Sequence, residues 1–365
     1  MRILVVNAGS SSLKLSLLEA DDSVAGHADL PATGGQFEPD AVAVALSGLG
    51  AGTAGAIGHR VVHGGRQFLA PIPIDAAVRK KLDDLVDLAP LHQPKSLAGI
   101  DAVGRVLPGV PAVACFDTAF HAGMPAEAFT YALPREWRKR WELRRYGFHG
   151  LSHAYATRRA GELLGEIPAR LVVCHLGSGA SLAAVANGRS VDTTMGFTPL
   201  EGLVMGTRSG TVDPGLVLWL AEHARTPPAE LAATLEHRSG LLGLAGTADM
   251  RKVLEQADEG GDEAALALEV YLHRLRAGVA SMAAALNGLD ALVFTGGVGE
   301  NSAAIRARAV DGLGFLGVAV DAAQNAAARG DTDITGPGSA VQVLVVAARE
   351  DLEVARQVRT VLHVA

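Results

Sequence analysis

Three short turns of this chain combine glycine, serine and asparagine in a way that suits the binding of phosphate. The first, at 7–12, reads NAGSSS and is followed by Lys14; the others lie at 175–181 and 296–302. Such turns offer backbone N–H groups and hydroxyls, and glycine permits a positive φ or a close approach of a ligand. The first turn differs from a Walker loop, because no G-x-x-x-x-G-K-[ST] occurs and the turn leads into a strand. We predict phosphate-binding turns, with an ordinary serine-rich hairpin as the alternative at the first.

Charged side chains close to glycine would neutralise such phosphates. Arg60 lies in GHRVVHGG and Arg208 in MGTRSG. Arginine forms paired hydrogen bonds with phosphoryl oxygens, so the arginines and the turns together indicate a nucleotide and phosphoryl transfer. Asp117 follows a predicted strand, at the sheet edge where α/β proteins bind ligands, although capping of the next loop is an equal alternative. Considered singly, seven histidines are more often structural than catalytic: His59, His63, His92, His121, His149, His153 and His175.

Other kinds of site find little support. GGVGENS has Ser302 where a dinucleotide fingerprint needs its third glycine, and no G-x-S-x-G accompanies the HGG at 63–65 as a hydrolase would require. Cys115 and Cys174 lie in apolar runs and lack the spacing of a disulfide framework or a zinc site. A net charge of −7 provides no general field for nucleic acid or an anionic membrane. We interpret the basic cluster at 135–145, which includes two tryptophans, as a solvated or subunit-contacting helix face.

These segments require a scaffold, and the composition favours an α/β protein of two domains. The 365 residues exceed the usual size of one core, and 43 glycines suit many tight turns. The plan of strand, Gly/Ser turn and strand at the amino terminus recurs at 171–192, which suggests duplicated domains facing one cleft, with chance similarity as the alternative. We expect domains at 1–149 and 150–350, with a helix at 351–365 that can pack on the first. The early functional turn leaves no room for a signal peptide and no run of eighteen apolar residues occurs, so a cytoplasmic location is expected.

Hydrophobic periodicity predicts the individual elements. Strands are predicted at 3–6, 14–17, 110–116 and within 57–68, 171–192, 291–295 and 341–346. Helices are predicted at 76–88, after Lys95 or Ser96, and at 154–164, 215–223, 229–237, 262–286 and 352–362. Residues 26–56 show little pattern and are predicted as short strands and loops, while 239–251 is predicted as a glycine-rich loop that runs into a helix.

The chain resembles the acetate kinase family in ten segments that occur in order over essentially its whole length: VVNAGSSSLK, GHRVVHGG, APLHQPKSLAGI, FDTAFHAGMP, RYGFHGLSH, CHLGSG, TPLEGLVMGTRSG, SGLLG, FTGGVGENS and a closing acidic turn. The resemblance implies the fold of the acetate and sugar kinase, heat-shock ATPase and actin superfamily. In that superfamily duplicated ribonuclease-H-like (actin-like) domains close on a cleft, which would explain the repeated plan.

The resemblance also implies an activity, the reversible Mg²⁺-dependent transfer of the γ-phosphoryl group of ATP directly to acetate, which gives acetyl phosphate and ADP. Mn²⁺ as a substitute for Mg²⁺ and a homodimer are implied in the same way. A carboxylate acceptor has no proton to lose at neutral pH, so a general base is not needed and positioned cations must offset the repulsion of two anions. The alternatives are a propionate or butyrate kinase of the same family and a non-catalytic nucleotide-binding protein of the actin type.

Matches to the family's motifs imply the role of each site residue. The implied catalytic residues are Arg60, Asp117, His149 and Arg208. The implied substrate contacts are Arg60, Val62, Leu91, Phe148 and Pro199. The implied nucleotide contacts are Ser10, Ser12, Lys14, His175, Leu176, Gly177, Ser178, Gly179, Asp249, Met250, Arg251, Gly297, Val298, Gly299, Glu300 and Asn301. The implied magnesium ligands are Asn7 and Glu350, which would come from different domains.

The chain departs from the family pattern at two functional positions. Ser178 stands where the family usually has asparagine, and AREDL at 348–352 stands where it usually has TNEEL, which puts Arg349 beside Glu350. Asp351 is the rival magnesium ligand, but its position before the predicted helix indicates an N-cap. Asp117 cannot assist an incoming anion by its charge, so we expect it to orient Arg60 or a magnesium-bound water. The chain is also shorter than family members generally are, which indicates trimmed peripheral loops.

Overall fold

Two six-stranded sheets organise this chain, one in each of the two units into which its internal contacts divide. The computed structural model describes residues 1–9, 12–31, 37–89 and 92–364. The first unit comprises Met1–Ala122, Phe148–Tyr155 and Arg349–Ala365, and the second comprises Gly123–Gly147 and Ala156–Ala348. The segments Gly123–Gly147 and Phe148–Tyr155 therefore depart from the predicted boundary after residue 149, whereas the carboxy-terminal helix belongs to the first unit, as the prediction allowed.

The first unit is built on a mixed sheet. Its strands are β1 (Ile3–Ala8), β2 (Ser12–Leu18), β3 (Val24–Pro31), β4 (Ala56–Val61), β5 (Ile72–Pro73) and β6 (Ala112–Phe116), in the spatial order β3-β2-β1-β4-β6-β5. The central strand β1 pairs antiparallel with β2 and parallel with β4, and β4 pairs parallel with β6. The carboxyl ends of β1, β4 and β6 therefore lie at one edge of the sheet.

The second unit repeats this arrangement. Its strands are β7 (Arg170–Leu176), β8 (Ala180–Ala186), β9 (Arg189–Thr193), β10 (Ala291–Thr295), β11 (Thr332–Asp333) and β12 (Gln342–Val345), in the order β11-β12-β10-β7-β8-β9. The central strand β7 again pairs antiparallel with the next strand and parallel with β10. Asn187 and Gly188, both at positive φ, form the predicted tight turn between β8 and β9. The duplication inferred from the sequence is confirmed at the level of strand order.

Helices connect and cover the strands. In chain order they are α1 (Pro39–Gly48), α2 (Ala76–Asp83), α3 (Gln93–Val106), α4 (Ala126–Phe129), α5 (Arg135–Arg140), α6 (Gly150–Leu164), α7 (Pro214–His223), α8 (Pro228–His237), α9 (Gly240–Ala245), α10 (Met250–Asp258), α11 (Asp262–Ala285), α12 (Gly296–Asn301), α13 (Ala303–Asp311), α14 (Ala322–Ala327) and α15 (Glu350–Leu362). In the ranges that the structure describes, no helix combines the length and the apolar character needed to cross a bilayer.

The apolar run of β1 follows from cover on both faces of the sheet. Leu4 and Val6 pack with α1 and α3 on one face, while Ile3 and Val5 pack with Val354 and other residues of α15 on the opposite face. Successive side chains of a strand alternate between faces, so a strand between two helical layers must be apolar throughout.

Gly58 allows α15 to lie directly on the sheet. A Cβ atom at this position would come within 2.4 Å of Val354 and 2.8 Å of Val358. Arg60 follows two residues later and therefore shares the face of β4 on which α15 packs. The absence of a side chain at Gly58 thus helps to bring the amino-terminal end of α15 to Arg60.

The structure corrects several predicted elements. Residues 26–56 contain the regular helix α1, which was missed because its sequence is mostly alanine and valine and buries only Val42 and Leu46. The helix predicted at 76–88 ends at Asp83, and a separate 3₁₀ turn follows at Val86–Leu88. The loop predicted at 239–251 contains α9. The glycine loop predicted after β10 is already helical from Gly296, as α12.

Candidate active site

The first predicted phosphate turn places three polar side chains side by side. In the strand register, Asn7 of β1 is opposite Lys14 of β2 and also opposite Arg60 of β4. Residues opposite each other on adjacent strands project from the same face, so these three side chains form a row at the end of the sheet. Ser12 begins β2, and its carbonyl accepts a hydrogen bond of 2.8 Å from Gly9. Ser10 lies outside the described residues.

Arg60 is the centre of this site. Its Nε donates to Asp117 Oδ1 at 3.0 Å and its Nη2 to Asp117 Oδ2 at 2.7 Å, which is the bidentate arrangement. Its Nη1 donates to Asn7 Oδ1 at 3.0 Å and lies 3.7 Å from Glu350 Oε2. Burial lowers the pKa of Arg60, but the charges of Asp117 and Glu350 and the hydrogen bonds to Asp117 outweigh it and raise that pKa above its ordinary value. Arg60 is thus a fixed cation at the ends of β1 and β4.

A strained turn places His149 beside Asp117. His149 has a φ of 56°, in the left-handed region that costs a non-glycine residue of order 1 kcal/mol or more. Gly150 donates its N–H to the Asp117 carbonyl at 2.9 Å, and a Cβ at Gly150 would lie 2.1 Å from that oxygen. Glycine is therefore required there. Strain maintained by such close packing is typical of functional sites, which supports His149 as a site residue.

Two of the predicted acyl-pocket residues are buried in the first unit. Val62 is 8% exposed and Phe148 is 1% exposed, and the Phe148 ring meets the ring of His63 edge-on at 5.5 Å. Leu91 lies outside the described residues. Pro199 belongs to the second unit, where it too is buried. Val62 thus lies two residues from Arg60 in the sequence, and Phe148 lies next to His149. The methyl group of acetate would be accommodated beside such apolar side chains.

Several neighbouring histidines are structural, as expected. Burial lowers the pKa of His63 and of His121 to about 4 and that of His59 to about 3, so all three are neutral near pH 7. His63 Nδ1 accepts from the Gly65 N–H at 2.8 Å, and His121 Nε2 lies 3.1 Å from the Phe148 carbonyl.

The second unit contains a cavity of about 650 Å³. Eight predicted nucleotide contacts line it: Gly177, Ser178, Asp249, Met250, Arg251, Gly297, Val298 and Asn301. Other lining residues were not predicted: Gly206, Leu241, Ala248, Leu254, Tyr271, Ser302, Ala303 and Ala304. Five predicted contacts of the second unit are not part of this lining: His175, Leu176, Gly179, Gly299 and Glu300. Mostly apolar walls with a few polar groups suit a planar base.

Helix α12 shapes one wall of this cavity. Gly296 has a φ of 79°, and a Cβ there would contact the Leu176 carbonyl at 2.8 Å, so the chain can turn from β10 into α12 only with glycine. A Cβ at Gly297 would meet no atom within 4 Å, so this glycine leaves the wall open. Asp249, which also lines the cavity, caps α10 and pairs with Arg251 at 2.7 Å. Hydrogen bonds from the side chain and backbone of Arg251 lower the pKa of Asp249 to about 2.

Arg208 is held by a residue that the sequence did not reveal. Its Nε donates to Glu236 Oε1 at 2.6 Å, and its Nη1 donates to the Pro199 carbonyl at 3.4 Å. Gly240, at a φ of 62°, packs against this loop, since a Cβ there would lie 2.6 Å from the Arg208 carbonyl. Glu236 is in the last turn of α8 and lies outside the recognised motifs, so no pattern pointed to it.

The proposed metal ligands have suitable chemistry. The described residues contain no group of three or more His, Cys, Asp or Glu that could hold a metal by themselves. Asn7 and Glu350 nevertheless present an amide oxygen and a carboxylate oxygen to the same Arg60 nitrogen. Mg²⁺ binds through one or two such oxygens together with water and substrate phosphates, so this donor pair fits the ion. Both residues belong to the first unit, not to different units as expected.

The prediction for Asp351 is wrong. Helix α15 begins at Glu350, so its N-cap residue is Arg349 and not Asp351. Asp351 lies in the first turn and accepts two hydrogen bonds of 2.9 Å from Arg349. The charge of Arg349, a residue that departs from the family pattern, is thus neutralised by Asp351.

Comparison with known proteins agrees with these observations. A profile of the Acetokinase family matches residues 51–356. Acetate kinase of Clavibacter sepedonicus is 46% identical in an alignment of 386 positions, which covers 97% of this chain and 98% of that protein. The crystal structure of Porphyromonas gingivalis acetate kinase has a TM-score of 0.91 at 36% identity and covers 99% of both chains. That of a Francisella tularensis propionate kinase has a TM-score of 0.91 at 37% identity and 98% of both chains. The two sheets therefore form the duplicated ribonuclease-H-like, actin-like fold, and the chain belongs to the acetokinase family.

Proposed function

We propose that this chain is an enzyme that transfers the γ-phosphoryl group of ATP to acetate, reversibly and with Mg²⁺, giving acetyl phosphate and ADP. Membership of the acetokinase family supports the reaction class. The observation that supports it most directly is the arrangement of Arg60, whose guanidinium is fixed by Asp117, Asn7 and Glu350 at the ends of adjacent strands. A fixed cation at such an edge suits a reaction between anions.

The proposed mechanism is a direct in-line transfer without a general base. Acetate is already ionised at neutral pH, so the residues must position it and offset its repulsion from the nucleotide phosphates. Arg60 binds the carboxylate, Arg208 and Lys14 add positive charge, and His149 donates a hydrogen bond to the transferring group. Asp117 orients Arg60 through their bidentate contact. In this contact the positive charge of Arg60 compensates the negative charge of Asp117.

The nucleotide and the metal are assigned to described residues. ATP or ADP occupies the cavity of the second unit, whose lining includes Ser178 and Gly297. Asn7 and Glu350 would hold Mg²⁺, or Mn²⁺ in its place. When bound, the ion neutralises phosphate charge that develops in the transition state.

Trapping of acetyl phosphate with hydroxylamine tests the proposal. Purified protein with acetate, ATP and Mg²⁺ should give acetyl hydroxamate, and acetate should be a better substrate than propionate or butyrate. A better rate with a longer acid would favour the alternative that the Francisella structure represents. Binding of ATP without turnover of any short carboxylate would reject the kinase and leave a nucleotide-binding protein.

Substitution of Val62 by alanine is expected to favour longer acids. Val62 is buried beside the strand that carries Arg60, so its truncation makes room for one methylene. The ratio of kcat/KM for propionate over acetate should rise several-fold, which corresponds to about 1 kcal/mol. Val113→Ala is the matched control, because Val113 is equally apolar but packs in the cluster with α15. An unchanged acid preference in Val62→Ala would place the pocket elsewhere.

Substitution of Glu350 by alanine is expected to raise the requirement for free Mg²⁺ about tenfold and to lower kcat, because it removes the carboxylate of the proposed donor pair. Arg349→Ala and Asp351→Ala should change either quantity modestly, since these two side chains mainly bind each other. Activity titrated against free Mg²⁺ compares the three variants. A larger shift for Asp351→Ala than for Glu350→Ala would show that Asp351 is the metal ligand.

The homodimer is proposed to use α7. This helix is rich in apolar residues, yet it has no buried residue in the isolated chain: Leu216 is 48%, Leu218 is 64% and Trp219 is 52% exposed. An apolar patch of this kind is typical of a subunit interface. Leu218→Glu should shift the sedimentation coefficient toward that of a monomer, whereas Leu266→Glu, at an exposed leucine of α11, should not. A dimer that survives Leu218→Glu would move the interface elsewhere.

The cysteines favour a cytoplasmic location. Cys115 and Cys174 are both free and buried, and burial raises the pKa of each thiol. Free thiols are usual in the reducing compartments where ATP is abundant. We therefore include the cytoplasm in the proposal, and a fluorescent fusion would test it.

A further inference from the structure

Two carboxylates hold the connector that precedes α15. The connector is residues 346–349, between β12 and α15. Asp331 Oδ1 accepts from the Ala347 N–H at 2.9 Å, and Glu300 Oε1 accepts from the Ala348 N–H at 3.0 Å. Adjacent backbone amides are therefore bound by side chains from different parts of the second unit. Hydrogen bonds to ionised acceptors are stronger than those between neutral groups, so the connector is firmly fixed.

Glu300 belongs to α12, which lines the nucleotide cavity. Its neighbours Val298 and Asn301 face the cavity, whereas the Glu300 carboxylate binds the connector. The helix is also held from behind, because Arg306 Nη1 donates to the carbonyls of Gly299 and Glu300, both at 2.8 Å. Arg306 is 1% exposed. The backbone around Glu300 thus has little freedom, and a change in the cavity wall would be passed to its side chain.

The connector leads directly to the proposed metal ligand. Ala348 is the last residue of the second unit, and Arg349 begins the segment that returns to the first. Glu350 follows, with its carboxylate 3.7 Å from Arg60. Two residues span at most about 7 Å of chain, so the position of Ala348 limits where Glu350 can lie.

We propose that Glu300 is a positioning residue that couples occupation of the nucleotide cavity to the placement of Glu350. The inference rests on the proposed function. A nucleotide that contacts Val298 and Asn301 adds to the interactions that hold α12, so it stabilises the hydrogen bond from Ala348 to Glu300 and keeps Glu350 in position to receive the metal. The enzyme would thereby acquire its full affinity for the metal only after the nucleotide is in place.

Asp331 provides a matched control. It binds the neighbouring amide of the same connector, but its other contact is Arg159 at 2.6 Å, and it does not line the cavity. Asp331→Ala therefore loosens the connector without breaking the link to α12. Glu300→Ala breaks that link, and Glu300→Gln retains an acceptor oxygen at the same place.

Hydrogen exchange in metal-free buffer with ADP as the probe gives a readout that needs no turnover. In the unsubstituted protein, ADP should slow exchange of the amides in 343–352 about tenfold. The slowing should vanish in Glu300→Ala and persist in Glu300→Gln and Asp331→Ala. In activity assays, Glu300→Ala should raise the half-saturating free Mg²⁺ about tenfold and leave the KM for ATP nearly unchanged.

Equal slowing by ADP in the unsubstituted protein and in Glu300→Ala would overturn the inference. A Gln variant as impaired as the Ala variant would also overturn it, because charge and not the hydrogen bond would then be responsible. Failure of the proposed function is distinguishable, since it would appear as a lack of acetyl phosphate from the unsubstituted protein, while the exchange experiment could still be read.

Discussion

Replacement of Arg60 by alanine is expected to lower kcat for acetate phosphorylation by about 10³-fold, a loss of about 4 kcal/mol in transition-state stabilisation. The guanidinium is fixed by Asp117 and Asn7, so it needs no reorganisation when charge moves onto the transferring group. Its removal also takes the bidentate partner from a carboxylate that is 1% exposed. Arg60→Lys should not restore full activity, because lysine lacks the planar fork.

Steady-state kinetics with a matched control tests this expectation. Arg79 of α2 binds Asp101 in the same bidentate manner, at 2.8 Å and 2.7 Å, but it lies on the surface of the first unit. Arg79→Ala should retain turnover close to that of the unsubstituted enzyme. Near-normal kcat in Arg60→Ala would remove Arg60 from the transition state.

Replacement of Arg208 by alanine is expected to have an effect of similar size. Arg208 is anchored by Glu236 at 2.6 Å, so its guanidinium is held in a defined position. We expect a 10³-fold lower kcat for Arg208→Ala, again about 4 kcal/mol, and a smaller loss for Glu236→Gln, which keeps an acceptor but not the charge. Arg238, whose side chain is 59% exposed, is the control in the same segment. If Arg208→Ala changed KM for ATP alone, its role would be in binding and not in the transition state.

Much of the fold could be predicted from local patterns. Helices α7 and α8 begin within one residue of the predicted positions. Each starts at a proline, a residue that is accommodated in the first turn of a helix but not further inside it. The repeat of β7 and β8 was visible because a strand buried on both faces is continuously apolar. Helix α1 escaped detection because alanine and valine give little contrast between its faces. Local pattern therefore fails where a helix buries only one or two side chains.

The residue types of the site could be predicted, but few of their partners could. Orientation of Arg60 was one of the two roles expected for Asp117, and their contact depends on the parallel pairing of β4 with β6. Glu236 could not be identified, and Glu300 was assigned only as a nucleotide contact, because each sits on a helix where an acidic residue is ordinary and its partner is distant in sequence. Asp351 was misassigned because α15 begins at Glu350, two residues before the start at 352 that apolar periodicity indicated.

The cover that α15 gives to the first sheet has a consequence for biosynthesis. Ile3 and Val5 leave the ribosome long before the residues that shield them, Val354 and Val358. While the second unit is being made, one face of the nascent first unit stays exposed to solvent. Contacts of such large sequence separation slow folding and prolong the exposure of apolar surface. Arg60 likewise acquires Glu350 only after the second unit has been made, so the chemistry of the site becomes available late in synthesis.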